Sequence, residues 1–452
     1  SNAVRSLDRI SSSSSANIVL TTSHKYKYTL KEWNNIFKRR NINVNKITRL
    51  PKNPNHLNRK EELLQWFNTK NVDEKFIIID DAQLQRLGRI HSAAEAKTAV
   101  EIARRTQSVV VQLRMVPNQP LTFFNDGVAR KEDDLIAYGW RRFLDGADDG
   151  WLARLPMTKA AVRAMDTVQA FAQSQEGGRR AITKFVVAGA SKRGWTTWTT
   201  AAVDSRVVAI MPAVIDVLNV RTSMTHHYRA YGFWAPAVGD YVTHGIMDRL
   251  SAPRFDALLA IEDPYSYRSR LSIPKYIVNA SGDQFFLPDS WQFYYGELPG
   301  EKYLRYLPNT DHSLKDSSVA EDILAFYASV VSGTPRPTFD WKAGADGSLE
   351  LTSTARPKKV LFWQAVNPSA RDFRIESLGP VWTSTDLQPD ADGTYRARVE
   401  APGKGYRAGF IEVTFDAGGP APMAFSTGVR VMPDVLPFAP PRPGQPAAPT
   451  PR

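Results

Sequence analysis

Apolar positions along most of the chain follow two rhythms, one suited to buried strands and one to helices. Short runs of aliphatic and aromatic residues at Lys184 to Ala188, Val207 to Val214, Lys275 to Asn279 and Tyr303 to Leu307 predict strands, and Ser108 to Met115 alternates into another that ends at Pro117-Asn-Gln-Pro120. Between them, Ala93 to Arg105, Glu132 to Leu144, Thr158 to Ser174 and the stretch from Gly194 through Ala202 repeat at helical spacing. Strands separated by helices predict a mostly parallel sheet covered on both faces. From about residue 220 to 270 strands give way to aromatics (Tyr228, Tyr231, Phe233, Trp234, Tyr241), which predicts a helical insertion acting as a lid. Beyond Pro335-Arg-Pro337 come short alternating segments, Ser348 to Thr352, Lys358 to Gln364, Asp372 to Glu376, Gly393 to Val399 and Gly409 to Phe415, divided by Gly, Pro and Asp. They predict an antiparallel β-sandwich domain over 336–432, and the Pro-rich stretch 433–452 predicts a flexible tail.

The first 85 residues differ in composition. They are rich in Asn, Lys and Ile and read in the order β-α-α-β, with strands at Ala16 to Ser23 and Phe76 to Asp81. This stretch resembles the C-terminal half of a haloacid-dehalogenase-like (HAD) phosphatase domain. That resemblance implies a phosphate-binding hydroxyl at Thr21 or Ser23, a lysine at Lys60 and metal carboxylates at Asp80 and Asp81. No Asp-x-Asp nucleophile motif precedes Ala16, which sets the segment apart as one of doubtful origin.

Charge changes the picture little. Of the formal net charge of +12, residues 1–84 carry a surplus of seven, and the remainder is near balance with no aromatic-interleaved basic stripe. Nucleic-acid binding is therefore not expected. The chain has no cysteine, which excludes disulfides and a thiolate nucleophile, and no apolar run of transmembrane length. No His-x-x-x-His or comparable spacing predicts a metal, and no cofactor is implied. Ser1-Asn-Ala3 resembles the remnant of a cleaved tag, and nothing in the sequence sets an oligomeric state.

The chemistry must then come from a hydroxyl, which needs a tight turn to expose it, a base, and amide donors for an oxyanion. Phe185-Val-Val-Ala188 runs into Gly189-Ala-Ser191 and then a helix, the context of a nucleophile elbow, with the Lys192 N–H as an oxyanion donor. The spacing is Gly-x-Ser-x-x-Gly, because Gly194 stands one place later than in the common pattern. The strand through Asn279 leads to Asp283, and the strand through Leu307 leads to His312, so Ser, Asp and His follow three strands in the order this fold uses. Asp216, also past a strand, is the alternative acid. Of the other histidines, His24, His56 and His91 precede the sheet, while His226, His227 and His244 lie in the insertion, where His226, His227 and Trp234 are candidate substrate contacts.

With these residues in place, Gly189-Ala-Ser-Lys-Arg-Gly-Trp-Thr-Thr-Trp198, Val214-Ile-Asp-Val-Leu-Asn219, Val116-Pro-Asn-Gln-Pro120, Tyr231-Gly-Phe-Trp-Ala-Pro236 and Ser281-Gly-Asp-Gln-Phe-Phe286 closely resemble the PhoPQ-activated pathogenicity-related family, over about residues 86 to 435. The resemblance implies an α/β-hydrolase fold at 86–335 with a helical lid insertion and a C-terminal β-sandwich domain. It further implies a bacterial serine hydrolase with a Ser191, His312, Asp283 triad acting on a small-molecule or peptide substrate. An extracytoplasmic location and a link to virulence or antimicrobial-peptide resistance are expected from the same source. The Gly-rich loop that such proteins carry before Val116, the expected source of a second oxyanion donor, is missing. That absence motivates the alternative of a catalytically silent exported binding protein.

Overall fold

The computed structural model describes residues 17–20, 29–39, 47–49, 76–79 and 97–442. Contacts divide the chain into two units, Ser1–Lys97 and Thr98–Arg452. In the first, β1 (Asn17–Leu20), β2 (Ile47–Arg49) and β3 (Phe76–Ile79) form a parallel sheet in the order β2-β1-β3. The expected β-α-α-β order missed β2, which is only three residues long and too short to show a period. Helix α1 (Leu30–Arg39) begins with a capping box: Thr29 N–H donates to Glu32 Oε2 at 2.7 Å, and Glu32 N–H donates to Thr29 Oγ1 at 3.2 Å.

In the second unit, β4 (Phe185–Ala190), β5 (Val207–Ala213), β6 (Lys275–Ala280) and β7 (Lys302–Leu307) pair in parallel. β5 and β6 are almost wholly buried, which is why they read as continuous apolar runs rather than alternating ones. Following α2 (Lys97–Thr106), helices α3 (Glu132–Leu144), α4 (Arg154–Gln173) and α5 (Lys192–Val203) precede β5, and α5 packs on β4 and β5.

The strand expected at Ser108 to Met115 does not form. The stretch is held at its ends, where Ser108 Oγ pairs with Tyr327 OH at 2.7 Å and Val116 O accepts from Arg193 Nε at 2.6 Å. Between them Val109, Val111, Leu113 and Met115 stand 45–56% exposed. Alternation supplies the side chains of a strand, but a strand also needs a neighbour for its backbone ladder, and among the described residues none pairs with this one.

The C-terminal part also departs from expectation. Its strands are β8 (Phe339–Ala343), β9 (Ser348–Ser353), β10 (Lys359–Asn367), β11 (Thr383–Asp386), β12 (Tyr395–Arg398), β13 (Tyr406–Phe415), β14 (Met423–Ser426) and β15 (Arg430–Met432), all paired antiparallel among themselves. They do not form a separate sandwich domain. β14 pairs with β7, so the central sheet runs β11-β10-β13-β14-β7-β6-β5-β4. Tyr276 OH on β6 donates to Ala424 O at 2.6 Å, and one apolar cluster joins Met211, Tyr276 and Val278 to Leu349, Ile411 and Phe425. β12-β9-β8 form a second layer sharing that cluster. Asp372 to Glu376, expected as a strand, instead enters a short helix at Ile375–Leu378, with Arg374 bonded to Asp372 at 2.6 Å.

Between β5 and β6 the insertion is helical, with α6 (Val220–Tyr231), α7 (Gly239–Thr243) and α8 (Pro253–Glu262) joined by 3₁₀ turns. A buried ion cluster ties α6 to the rest of the unit: Asp289 accepts from Arg371 Nη2 at 2.6 Å and lies 3.0 Å from His226 Nε2. Residues 433–442 are not a free tail, because Phe438 N–H donates to Arg229 O at 3.1 Å and its ring fills the space beside Gly232, where a Cβ would come within 2.7 Å. Removing one member of a buried ion cluster leaves the others desolvated and unpaired. Asp289→Ala is therefore expected to lower the unfolding free energy by about 3–5 kcal/mol in urea titrations, and a shift below ~1 kcal/mol would contradict this account.

Candidate active site

β4 ends at Ala190, and α5 starts two residues later. The residue between them, Ser191, has φ 56° and ψ −127°, a conformation that strains any side chain but glycine. Its surroundings enforce it. Ser191 N–H donates to Ala213 O at 2.8 Å and Ser191 O accepts from Trp195 N–H at 2.9 Å, so the turn is bonded to β5 on one side and to its own helix on the other. A Cβ at Gly189 would lie 2.5 Å from Arg193 O, and one at Gly194 would lie 3.0 Å from Ala213 O and Gly189 O. Both glycines of the Gly-x-Ser-x-x-Gly pattern are thus places where helix and sheet touch backbone to backbone, which accounts for the displaced second glycine.

The loops after β6 and β7 bring Asp283 and His312 together. Asp283 Oδ2 lies 2.9 Å and Oδ1 3.0 Å from His312 Nδ1, and Oδ1 also accepts from Phe285 N–H at 2.7 Å. The carboxylate is 4% exposed. A carboxylate at Nδ1 fixes the proton there and leaves Nε2 as the acceptor. Nε2 is buried with no hydrogen-bond partner among the described residues, Ser191 Oγ included. The Phe285 ring packs on the imidazole at a tilt of 40°, with ring centroids 4.3 Å apart.

Asp216, the alternative acid, is engaged elsewhere. It accepts from Tyr294 OH at 2.7 Å and Tyr306 OH at 2.5 Å, and burial pushes its carboxyl up to about 8. The remaining described histidines are also occupied: His244 Nε2 lies 2.7 Å from Asp134, and His227 Nε2 accepts from Ala235 N–H at 3.0 Å, with burial pushing His227 down to about 3. His24, His56 and His91 lie outside the described residues.

Ser191 and Lys192 line a cleft of about 50 Å³, and Phe285 and Phe286, which pack on His312, line it too. The insertion contributes much of the remaining wall, including Met224, Tyr241 and Met247. His226, His227 and Trp234, expected as substrate contacts, do not line it. His226 belongs to the Asp289 cluster, and Trp234 packs on His227 and Tyr228 with centroids 5.7 and 5.0 Å apart.

One part of the site escaped the sequence reading. The buried Lys192 ammonium lies 2.8 Å from Glu132 and 3.0 Å from Asp133, and Arg193 holds Glu132 through both Nη atoms at 2.7 and 2.8 Å. Gln119 Oε1 accepts from Glu132 N–H at 2.7 Å. Burial alone would raise the Glu132 carboxyl, but hydrogen bonds from Arg193, Lys192 and Gln119 hold it well below the usual carboxylate range. The cluster clamps the Val116 to Pro120 segment and the start of α3 to the elbow. Its sequence signal was the Glu132-Asp-Asp134 run at a helix start.

A parallel sheet with a strained serine between β4 and its helix, and an Asp–His pair on the loops after β6 and β7, defines the α/β-hydrolase fold, the class of fold that serine hydrolases use. Within that class the chain belongs to the PhoPQ-activated pathogenicity-related protein family, whose sequence profile matches residues 17–374. It is 41% identical over 359 residues to Autocrine proliferation repressor protein A of Dictyostelium discoideum, covering 73% of this chain and 72% of that one. Solved structures similar to it include the acetyl xylan esterase from Paenibacillus sp. R4, at 16% identity and TM-score 0.33, over 40% of this chain and 54% of that one. Another is the Pyrococcus horikoshii acylaminoacyl peptidase, at 14% identity and TM-score 0.28, over 37% and 26%. The family match takes in the N-terminal stretch from residue 17, so the phosphatase resemblance of that stretch is not upheld; Thr21, Ser23, Lys60, Asp80 and Asp81 lie outside the described residues. Among the described residues no helix is long and apolar enough to cross a membrane.

Two outcomes follow from this geometry. Gly189→Ala should cost about 1–3 kcal/mol in chemical denaturation, because backbone rather than a flexible side chain opposes the new methyl. For Asp216, a folded pKa above the unfolded value means that its contribution is complete below about pH 4 and lost as pH rises through about 8. Between pH 5 and pH 9 the protein should lose stability that an Asp216→Asn variant retains; equal pH slopes for the two would refute the assignment.

Proposed function

We propose that this chain is a serine hydrolase that cleaves an ester or amide through an acyl-enzyme on Ser191. The observation that carries this reading is the bonded Asp283–His312 pair, with Nε2 unengaged, packed through Phe285 against the cleft that the strained Ser191 lines. His312 Nε2 would take the Ser191 proton as Oγ bonds to the acyl carbon, then pass it to the leaving group as the old bond breaks. Water attacks next by the same route, and the acid departs with the serine restored. Asp283 holds the imidazole and stabilises its cationic form, and the Lys192 N–H at the start of α5 faces the developing oxyanion. The helical insertion serves as a lid over the cleft. Export and a role in virulence or peptide resistance are proposed from the family; the name of the Dictyostelium relative, an autocrine repressor of proliferation, supports action outside the cell.

The rival reading, a catalytically silent binding protein, draws on one observation: among the described residues the segment Ser108 to Met115 pairs with no strand, leaving a second oxyanion donor unassigned. A fluorophosphonate probe separates the two. The intact protein is expected to be labelled and Ser191→Ala is not, while Asp283→Asn should lower kcat by roughly 10³- to 10⁴-fold with KM little changed. A folded protein that resists the probe would establish the rival, and labelling that persists in Ser191→Ala would remove Ser191 from the mechanism.

A further inference from the structure

We propose that α7 and the turns on either side of it form a flap that shuts the Ser191 cleft, latched to α3 and hinged at Gly239 and Gly245. This rests on the hydrolase reading above and names which part of the insertion moves and what holds it. At about 50 Å³ the cleft is far below the roughly 300–1,000 Å³ of small-molecule sites, so an ester or amide with its leaving group does not fit the closed form. Val238, Tyr241, Ile246 and Met247, all on or beside α7, are part of the wall that closes it.

Little holds α7 down. None of its five residues is buried. The backbone N–H groups of Val238, Gly239, His244, Gly245 and Ile246 all donate to carbonyls within residues 235–246, so the stretch is bonded to itself. Among the described residues its polar contacts with the body come from two side chains. His244 Nε2–H donates to Asp134 Oδ1 at 2.7 Å, and Tyr241 OH donates to Asp133 Oδ1 at 3.2 Å while Arg154 Nη2 reaches the same hydroxyl at 3.4 Å. The two rings meet Tyr138 and Trp140 of α3 edge-on, with centroids 5.8 and 5.5 Å apart.

The ends of the stretch are suited to bending. Gly245 takes φ 67°, a conformation in which a side chain is strained. Gly239 stands at φ −57° with nothing within 4 Å of the place a Cβ would occupy, so crowding does not call for glycine there and backbone freedom is what it adds. Outside these two points the insertion is fixed. His226 ties α6 to Asp289, Phe255 and Leu258 of α8 are fully buried, and Ile246, next to Gly245, is 1% exposed. Swinging α7 off α3 therefore breaks the two latch contacts, uncovers Ser191 and leaves those buried residues in place.

The test uses the full chain and the rate of Ser191 labelling by a fluorophosphonate probe. His244→Ala and Tyr241→Phe release the latch at different places, and each should speed labelling about fivefold, the factor by which one lost hydrogen bond of this kind shifts an equilibrium. Arg249→Ala, which removes an ion pair with Asp145 beyond the hinge, should leave the rate unchanged. Rates unmoved in both latch variants, or raised equally in Arg249→Ala, would overturn the flap. Should none of these proteins be labelled, the hydrolase reading fails by itself and the flap is judged by hydrogen exchange. Amides of residues 239–246 should then exchange about fivefold faster in His244→Ala while those of α8 do not change; equal exchange in the two proteins overturns the proposal.

Discussion

The arrangement depends on how closely the first turn of α5 approaches the end of β4. That contact is made by backbone against backbone at Gly189 and Gly194, and any side chain at either place would lift the helix from the sheet. Only with the helix seated there does Ser191 have to turn through φ 56°, and only then does its amide reach Ala213 O. Strain of this kind costs on the order of 1–3 kcal/mol and persists when the surroundings over-determine it. Here the over-determination comes from the elbow's own neighbours. Lys192 pairs with Glu132 and Asp133, and Arg193 with Glu132, so the two residues that distinguish this elbow act as its anchors.

The acid and base loops are braced from the opposite direction by the C-terminal strands. Ile375 N–H donates to Gly282 O at 3.0 Å, directly before Asp283. Asn309, three residues before His312, exchanges two 2.9 Å hydrogen bonds with the backbone of Trp382. Because β14 continues the central sheet beyond β7, these braces belong to the same rigid layer that carries the loops. The C-terminal region is therefore part of the machinery that positions the Asp–His pair, rather than an appended module.

What the sequence made legible follows from the kind of signal each feature leaves. Strands buried on both faces leave uninterrupted apolar runs, which made β5 and β6 readable, and the elbow leaves two glycines around a serine, which marked the end of β4 and Ser191. The order of Asp283 and His312 past successive strands was readable for the same reason. Features decided by a distant partner were not. Ser108 to Met115 has the alternation of a strand and no neighbour to pair with, and β14 looks like any short strand until its place beside β7 is known. His226, His227 and Trp234 have the composition of a binding surface, yet which way a helix turns its histidines depends on Asp289 and Arg371, far along the chain. The N-terminal stretch shows the same limit in another form, since composition alone suggested a separate parentage that the family match from residue 17 does not sustain.

Asp216 and Asp283 are set apart by tyrosines rather than by loop position. Both carboxylates follow strands of the same sheet and both are buried, so each alone would be a plausible partner for an imidazole. Tyr294 and Tyr306 converge on Asp216 and satisfy both its oxygens, while burial keeps it protonated near neutral pH. Two ionised carboxylates in one low-dielectric region would raise each other's pKa and divide the field that an imidazolium experiences. With Asp216 neutral, the negative charge facing His312 in the proposed mechanism is that of Asp283, aligned with Nδ1 and held by the Phe285 amide. The tyrosine pair thus contributes to the candidate chemistry without touching it, by withdrawing a competing charge.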